Sequence, residues 1–262
     1  MTVIVYEHPL SPYAQKVKIA LDEKNIPYAT KMPVAIGSGQ ADTEFLKANP
    51  RGEVPALIDG DTQLFDSTII LEYIEDRWPA PPMLPDGAAA RARARTIEEV
   101  MDSTFEPINW GLGEIRWFKR AEGERARAIE ARAAAQARGI YAWLTRQLGD
   151  AEWFNGPRFG WADLSVIPYL NGARGLGVGP DPKSALGHWI DRVNARPSVA
   201  KAAQAAADSI SGMENVNDAV KSGVFKREYR DHRLEWMIRS GGVDVVLEGL
   251  KHDNIRFSNE LS

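Results

Sequence analysis

Short apolar runs alternate with helical spacing at the start of the chain. Residues 3–6 are continuously apolar, which is typical of a strand covered on both faces. From Tyr13 the apolar residues recur at helical spacing, and the polar stretch before Pro27 ends that pattern. A second strand is predicted to begin near Tyr28, so this region reads as a β-α-β unit.

The next segment predicts a short helix, a hairpin and a longer helix. Residues 42–47 can form one helical turn before Asn49-Pro50 stops it. Two strand-like runs, 54–58 and 62–65, flank an Asp-Gly turn, in which glycine supplies a positive φ. Ser67 then opens a helix with an apolar face that ends near Trp78. The order β-α-β-α-β-β-α is that of the thioredoxin fold.

The pattern changes after residue 78, which predicts a second domain. Residues 79–88 contain four prolines and are typical of a semi-rigid linker. Residues 89–208 are rich in Ala, Arg, Glu and Leu without strand-like alternation, so we expect them to be all-helical. The fold class is therefore an α/β thioredoxin-like domain over 1–78 followed by an all-α domain. Residues 209–262 carry apolar clusters, so we expect this C-terminal extension to pack on the body or on a partner subunit.

Composition excludes several classes of function. The 262 residues include 36 acidic and 32 basic side chains, and this balance offers no field for nucleic acid. The chain has no cysteine, which excludes disulfide exchange and thiolate metal sites, and its four histidines lack metal-ligand spacing, so we expect no metal. We also expect a cytoplasmic protein without a membrane segment, since no basic leader and no apolar run of about 20 residues is present.

Four motifs together resemble the glutathione transferases over about 200 residues. Residues 11–21, from Ser-Pro-Tyr onward, resemble the start of helix 1 in the serine-type classes. Residues 49–57 resemble the segment that leads to the family's cis-proline, and 66–70 resemble its acidic-Ser motif. Residues 159–164 resemble the capping box of the helical domain, with Gly160 in place of Ser or Thr. The resemblance implies glutathione as co-substrate and a homodimer.

The resemblance also assigns roles in glutathione binding. Ser11 would donate to the glutathione sulfur at the N-terminus of helix 1, where the alternative role is a simple helix cap. Pro55 would be cis and turn the backbone of Val54 toward the cysteinyl unit. Asp66 would bind the γ-glutamyl ammonium, and Ser67 its carboxylate while also serving as N-cap. Tyr6 is a rival thiol donor, but its position inside strand 1 favours a core role.

Glu53 departs from the pattern of the relatives. Many of them carry Gln, Lys or another group there that can interact near the glycyl carboxylate of glutathione. An acid at this position would repel that carboxylate unless a base such as Lys31 or Arg51 compensates.

A second substrate would lie between Ser11 and the helical domain. Aromatic residues on helices are more often core than ligand contacts, and this alternative stays open for the whole set of candidate walls. The candidates are Tyr13, Trp110, Arg116, Trp117, Tyr169 and Arg174.

Two functions of different class fit the resemblance. The first is a glutathione transferase that adds the thiolate to a hydrophobic or aromatic electrophile, and the Asp-Ser motif with Pro-Pro-Met-Leu also resembles bacterial β-etherases. The second is a non-catalytic adaptor of the FtsZ-binding type, which Glu53 and the long C-terminal extension would suit. Glutathione binding discriminates between them.

Overall fold

A four-stranded sheet with helices on both sides forms the N-terminal part. The computed structural model describes residues 2–33, 43–210, 216–222, 234, 237–238 and 241–252. The strands are β1 (Val3–Tyr6), β2 (Tyr28–Lys31), β3 (Ala56–Asp59) and β4 (Thr62–Phe65), in the order β2-β1-β3-β4. β1 pairs parallel to β2 and antiparallel to β3, which forms a hairpin with β4. This mixed sheet confirms the predicted thioredoxin-like arrangement.

Among the described residues, three helices accompany the sheet: α1 (Pro12–Glu23), α2 (Thr43–Ala48) and α3 (Ser67–Arg77). Every residue of α1 from Ala14 to Leu21 is buried, polar ones included. The cause is that α1 lies between the sheet and the helical part, where it contacts both α3 and the later helices. A helix buried all round cannot follow the one-sided apolar pattern of a surface helix.

The rest of the described chain is helical, as predicted. The helices are α4 (Ala88–Val100), a π-helical turn (Met101–Phe105), α5 (Glu106–Arg116), α6 (Gly123–Leu148), α7 (Trp161–Gly175), α8 (Ala185–Asn194), α9 (Pro197–Ile210), α10 (Val216–Lys221) and α11 (Val243–Lys251). The sequence pattern did not predict the π-helical turn. π-helical turns inside α-helices frequently mark functional sites.

Salt bridges and hydrogen bonds join α1 to the start of α9. Glu23, at the end of α1, accepts from Arg196 Nε at 3.0 Å and Nη2 at 2.5 Å, and also from the Ser198 hydroxyl. Asp22 pairs with Lys201 at 2.9 Å. These contacts fix the C-terminal end of α1 against the helical part.

The proline-rich segment is packed against the body rather than acting as a free spacer. Met83 and Leu84 are buried, and their N–H groups donate to the Glu75 carboxylate at 3.0–3.1 Å. The Met83 carbonyl accepts from Trp161 N at 2.8 Å and from Asn155 Nδ2 at 3.0 Å. The segment therefore ties α3 to the start of α7.

The start of α7 explains the glycine at position 160. A Cβ there would lie 2.2 Å from Met83 O and 2.2 Å from Asn155 Nδ2, so a serine or threonine cannot fit. Asp163 provides the remaining half of the cap, because its carboxylate accepts from Gly160 N at 3.1 Å. It also accepts from the N–H groups of Phe154 and Asn155 and from the Trp189 indole. Burial raises the pKa of Asp163 to about 6 despite these donors.

The C-terminal extension is described only in part. The helical domain's last helix, α9, continues to Ile210, two residues past the predicted boundary at 208. In α11, Val243, Val245, Leu247 and Leu250 are 42–64% exposed. The packing expected of residues 209–262 is not seen at these positions, and 211–215, 223–233, 235–236, 239–240 and 253–262 lie outside the described residues. Packing of the extension stays a prediction.

Candidate functional site

The sheet register places three loop positions side by side at one edge. Tyr6 of β1 pairs with Ala56 of β3, and Ala56 also pairs with Phe65 of β4. The next residue outward on each strand is Glu7, Pro55 or Asp66, so these lie on adjacent strands about 4.8 Å apart. The segments that hold Ser11, Val54 and Ser67 therefore meet at this edge.

Ser11 is the N-cap of α1. Its Oγ accepts from Ala14 N at 3.3 Å, and its backbone N–H donates to His8 O at 2.9 Å. A hydroxyl that accepts a hydrogen bond keeps its own proton available for donation. The capping role and donation to a ligand sulfur are thus compatible in one side chain, which is half-buried and not sealed in the core.

Val54 and Pro55 precede β3, and the peptide bond between them is cis, as the resemblance implied. Neither the N–H nor the C=O of Val54 belongs to the sheet register, since pairing begins at Ala56. The chain before it is anchored by Asn49, whose Nδ2 donates to the Glu53 carbonyl at 2.6 Å. The Glu53 side chain is half-buried, and Arg51 stacks on the Phe65 ring at 5.2 Å.

The N-terminus of α3 corrects one sequence expectation. Asp66, not Ser67, is the N-cap, and its Oδ1 accepts from Thr68 N at 3.0 Å and Ile69 N at 3.3 Å. Asp66 has φ of +72°, in the left-handed region that non-glycine residues rarely occupy. Strained residues of this kind cluster at ligand sites. Ser67 is the first helical residue and is buried, while Asp66 is exposed.

A buried charge cluster lies directly behind these two helix starts. Lys16 of α1 is fully buried, and its Nζ contacts Glu98 at 2.6 Å and Asp102 at 2.5 Å. Glu98 also accepts from the Thr68 hydroxyl at 2.9 Å and from the Trp161 indole. The cluster therefore connects α1, α3, α4 and α7 through one carboxylate.

The carboxylates of the cluster favour the protonated, charged form of Lys16. Burial lowers the pKa of Lys16, but Asp102 and Glu98 outweigh it and the pKa is raised. Burial raises the pKa of Asp102, and the opposing attraction of Lys16 is smaller. Removing one partner would leave an uncompensated buried charge, which is costly.

Tyr13 and Tyr169 are the two predicted wall residues that the structure brings together. Their rings lie 6.1 Å apart, edge to face. The Tyr13 hydroxyl donates to Asp102 O at 3.0 Å, and the Tyr169 hydroxyl donates to Asp102 Oδ1 at 2.7 Å. Tyr13 is half-buried two residues after Ser11, whereas Tyr169 is fully buried.

The other four predicted wall residues lie farther along the helical part. Arg116 donates to Glu130 and to the Leu176 carbonyl, and a rise of 1.5 Å per residue places it about 20 Å from Asp102 along the helix axis. Trp117 follows it and packs on Gly113. Arg174 pairs with Asp191 of α8 at 2.8 Å. Trp110 is half-buried on α5 between these two ends.

Sequence reasoning missed Lys16, Glu98, Asp102 and Thr68. No local signal marks them, because Lys16 and Glu98 are separated by 82 residues and both belong to segments that look like ordinary charged helix. One hint is that Lys16, like Gln15 and Lys18, is a polar residue among the apolar residues of α1. Burial of that whole stretch could be found only from the tertiary structure.

Comparison with known proteins identifies the family. Two family models match: "Glutathione S-transferase, N-terminal domain" over residues 5–82 and "Glutathione S-transferase, C-terminal domain" over residues 121–192. Together these matches cover more than half of the chain. The chain belongs to the glutathione S-transferase family.

The relatives that this chain resembles have names that refer to different functions. A stringent starvation protein A homolog of Histophilus somni is 29% identical over 71% of this chain and 82% of its own length. A maleylacetoacetate isomerase of Pseudomonas aeruginosa is 28% identical over 76% of this chain and 94% of its own length. The crystal structure of a glutathione S-transferase from Rhodospirillum rubrum F11 has a TM-score of 0.68 at 27% identity, covering 77% of this chain and 91% of that one. Members of the family use glutathione as co-substrate.

Two further properties of this glutathione S-transferase family member concern metals and membranes. Among the described residues, no group of three or more His, Asp or Glu side chains could hold a metal ion. No helix in the described ranges has the length and apolar character needed to cross a bilayer.

Proposed function

We propose that this chain is a catalytic glutathione transferase that activates the glutathione thiol from Ser11 and adds the thiolate to a hydrophobic or aromatic electrophile. A free thiol with a pKa near 8.5 is only a few per cent thiolate at pH 7, and the thiolate is the nucleophile. Lowering that pKa by about two units, which corresponds to about 2.7 kcal/mol, would make the thiolate a major species. The site must supply this stabilisation.

The observation that carries the proposal is the N-cap geometry of Ser11 at the sheet edge. Its oxygen accepts from Ala14 N–H, which leaves the hydroxyl proton to donate to a sulfur above the helix. The partial positive charge at the N-terminus of α1 favours the same anion. Pro12 at the first helical position has no N–H, so the remaining donors of this turn are backbone groups beyond it.

The rest of glutathione would extend from Ser11 along the same edge. The Val54 backbone would pair with the cysteinyl unit like an added strand, since Val54 lies outside the sheet pairing. The α-carboxylate of the γ-glutamyl unit would lie at the N-terminus of α3, where Ser67 donates, and the exposed Asp66 would face the ammonium. Pro55 would fix this segment, and Glu53 would lie next to the glycyl end.

The second substrate would lie beside Tyr13. This half-buried ring stands two residues after Ser11, and Tyr169 supports it from behind through an edge-to-face contact. An apolar ring at this place favours a flat or aromatic electrophile. By the same geometry, Arg116 and Trp117 are too far along the helix to contact it. We propose them, together with Arg174, which pairs with Asp191, as structural residues of the helical domain.

Conjugation of an aryl halide by two Ser11 variants tests the proposal. Ser11→Ala should lower turnover by about 10-fold or more, since loss of one donor to a developing thiolate costs on the order of 1.5–3 kcal/mol. Ser11→Asp is the matched control, because aspartate caps a helix as well as serine but cannot donate and would repel the thiolate. Activity should be lost in both variants, whereas only the alanine variant should lose about 1 kcal/mol of stability. Unchanged turnover in Ser11→Ala would remove Ser11 from the mechanism.

Calorimetric titration with glutathione separates this proposal from the adaptor alternative. Millimolar or tighter binding is expected of the transferase. If no heat of binding is detected, the result favours the non-catalytic adaptor.

A further inference from the structure

The turn that leads into α1 is closed by a histidine ring. Leu10 N–H donates to His8 Nδ1 at 3.2 Å, and Ser11 N–H donates to His8 O at 2.9 Å. Both bonds end on the same residue, three positions before Ser11. The backbone that sets the direction of the Ser11 side chain is therefore held by His8.

A second side chain holds the middle of the same turn. Gln15 is buried on α1, and its Nε2 donates to the Pro9 carbonyl at 2.8 Å. Pro9 has no N–H of its own, and the N–H groups of Leu10 and Ser11 are both used within the turn. Among these bonds, only the one to His8 Nδ1 depends on a group that titrates near neutral pH.

The direction of this bond fixes the state of the imidazole. A backbone N–H can only donate, so Nδ1 must carry a lone pair and the ring proton must lie on Nε2. A doubly protonated ring would have two donors and no acceptor, and it would repel Leu10 N–H. We propose that His8 is a positioning residue for Ser11, which it serves only as a neutral imidazole. This inference rests on the proposed function of Ser11.

The surroundings of the ring favour the neutral form. The charged groups that act on His8 are Glu7 on the same loop and Lys18 on α1, which pair with each other at 2.9 Å. Burial lowers the pKa of His8, Glu7 opposes this change, and Lys18 adds to it. The neutral state is thus maintained to a pH below the ordinary range of histidine.

Two variants of His8 provide the test. His8→Ala removes the acceptor, whereas His8→Asn keeps one, since an asparagine oxygen accepts the N–H two residues ahead in an Asx-turn. We expect His8→Ala to lower kcat for conjugation about fivefold, as for loss of one hydrogen bond, with KM for glutathione changed less than about twofold. His8→Asn should restore kcat at pH 7. Equal kcat in all three proteins, or no rescue by asparagine, would overturn the proposal.

The pH profile separates positioning from a role in folding alone. In the ratio of kcat/KM of the natural chain to that of His8→Asn, the pH dependence that comes from ionisation of the glutathione thiol cancels, because both proteins share it. This ratio should stay constant at neutral pH and fall only at a pH below the ordinary titration range of histidine, as His8 becomes protonated and asparagine does not. A ratio independent of pH would contradict the proposal, even if His8→Ala is less stable.

One readout does not need catalysis. Nitrogen NMR of the imidazole at pH 7 should report the Nε2–H tautomer for His8. A proton on Nδ1 would overturn the inference. If the tautomer is as expected but the chain conjugates no electrophile, the proposed transferase function is wrong. The assignment of His8 as the neutral acceptor in this turn would then still hold.

Discussion

At the residue scale, the site depends on side chains that serve two partners at once. Ser11 caps α1 through its oxygen lone pair and keeps its proton for a ligand. Asp66 caps α3 through Oδ1, which leaves the other carboxylate oxygen for an ammonium group. From the sequence pattern alone, both residues look like ordinary helix N-caps. The sheet register places Asp66 and the segment that leads to Ser11 at one edge, and this distinguishes the two residues from caps elsewhere in the chain.

Glu53 offers a prediction at this scale. We expect Glu53→Gln to tighten glutathione binding about fivefold, because a like-charge contact with the glycyl carboxylate at a partly exposed site costs roughly 1 kcal/mol. The substitution leaves the Asn49 hydrogen bond in place, since that bond ends on the Glu53 backbone carbonyl. Calorimetry at two salt concentrations is the measurement, and the difference should shrink at high salt. Weaker binding in the variant would mean that the carboxylate helps to hold the ligand or the loop.

At the scale of elements, the order of strands and helices was predictable because each is marked by a local pattern. The apolar run of β1, the Asp-Gly turn between β3 and β4 and the shift to helical composition after 88 are all confirmed. The π-helical turn at Met101–Phe105 and the burial of Lys16 were not predictable. The burial of Lys16 depends on its contacts with Glu98 and Asp102, which lie 82 and 86 residues away in the sequence, and no local pattern marks the π-helical turn.

Gly160 gives a test of how α7 begins. Gly160→Ala should destabilise the protein by about 2 kcal/mol or more, since its Cβ would meet the Met83 carbonyl and the Asn155 amide at 2.2 Å. Gly175→Ala, in the last turn of the same helix, is the matched control, because no atom lies within 4 Å of the added Cβ. It should be neutral or slightly stabilising. Urea denaturation of both variants measures the difference, and equal midpoints would contradict the account of this capping segment.

At the scale of the whole molecule, α1 is the element that both halves share. Its N-terminus carries Ser11, its middle contributes Lys16 to the buried charge cluster, and its end contacts Arg196 of the helical part. A change in the packing between the halves would therefore reach the Ser11 turn through one rigid helix. In the proposed function, α1 would thus connect the glutathione edge with the helical half.

The C-terminal extension supplies a prediction at the same scale. A nine-residue helix such as α11 is marginal in water by itself, and Val243, Leu247 and Leu250 present an exposed apolar face. We expect this face to dock on the body or on a second subunit, so the amides of 243–251 should exchange slowly with deuterium. Leu247→Lys should abolish that protection, whereas Asp244→Lys, on the polar side, should not. Removal of the extension by protease within minutes, with stability and activity intact, would show that it is a mobile appendage.

The most direct measurement of the central claim is the ionisation of glutathione bound to this chain. Thiolate absorbance of the complex, recorded against pH, gives the thiol pKa without any second substrate. We expect a pKa about two units below that of free glutathione in the natural chain, and a return most of the way to the free value in Ser11→Ala. A bound thiol that titrates like free glutathione, or an equal pKa in both proteins, would contradict the account.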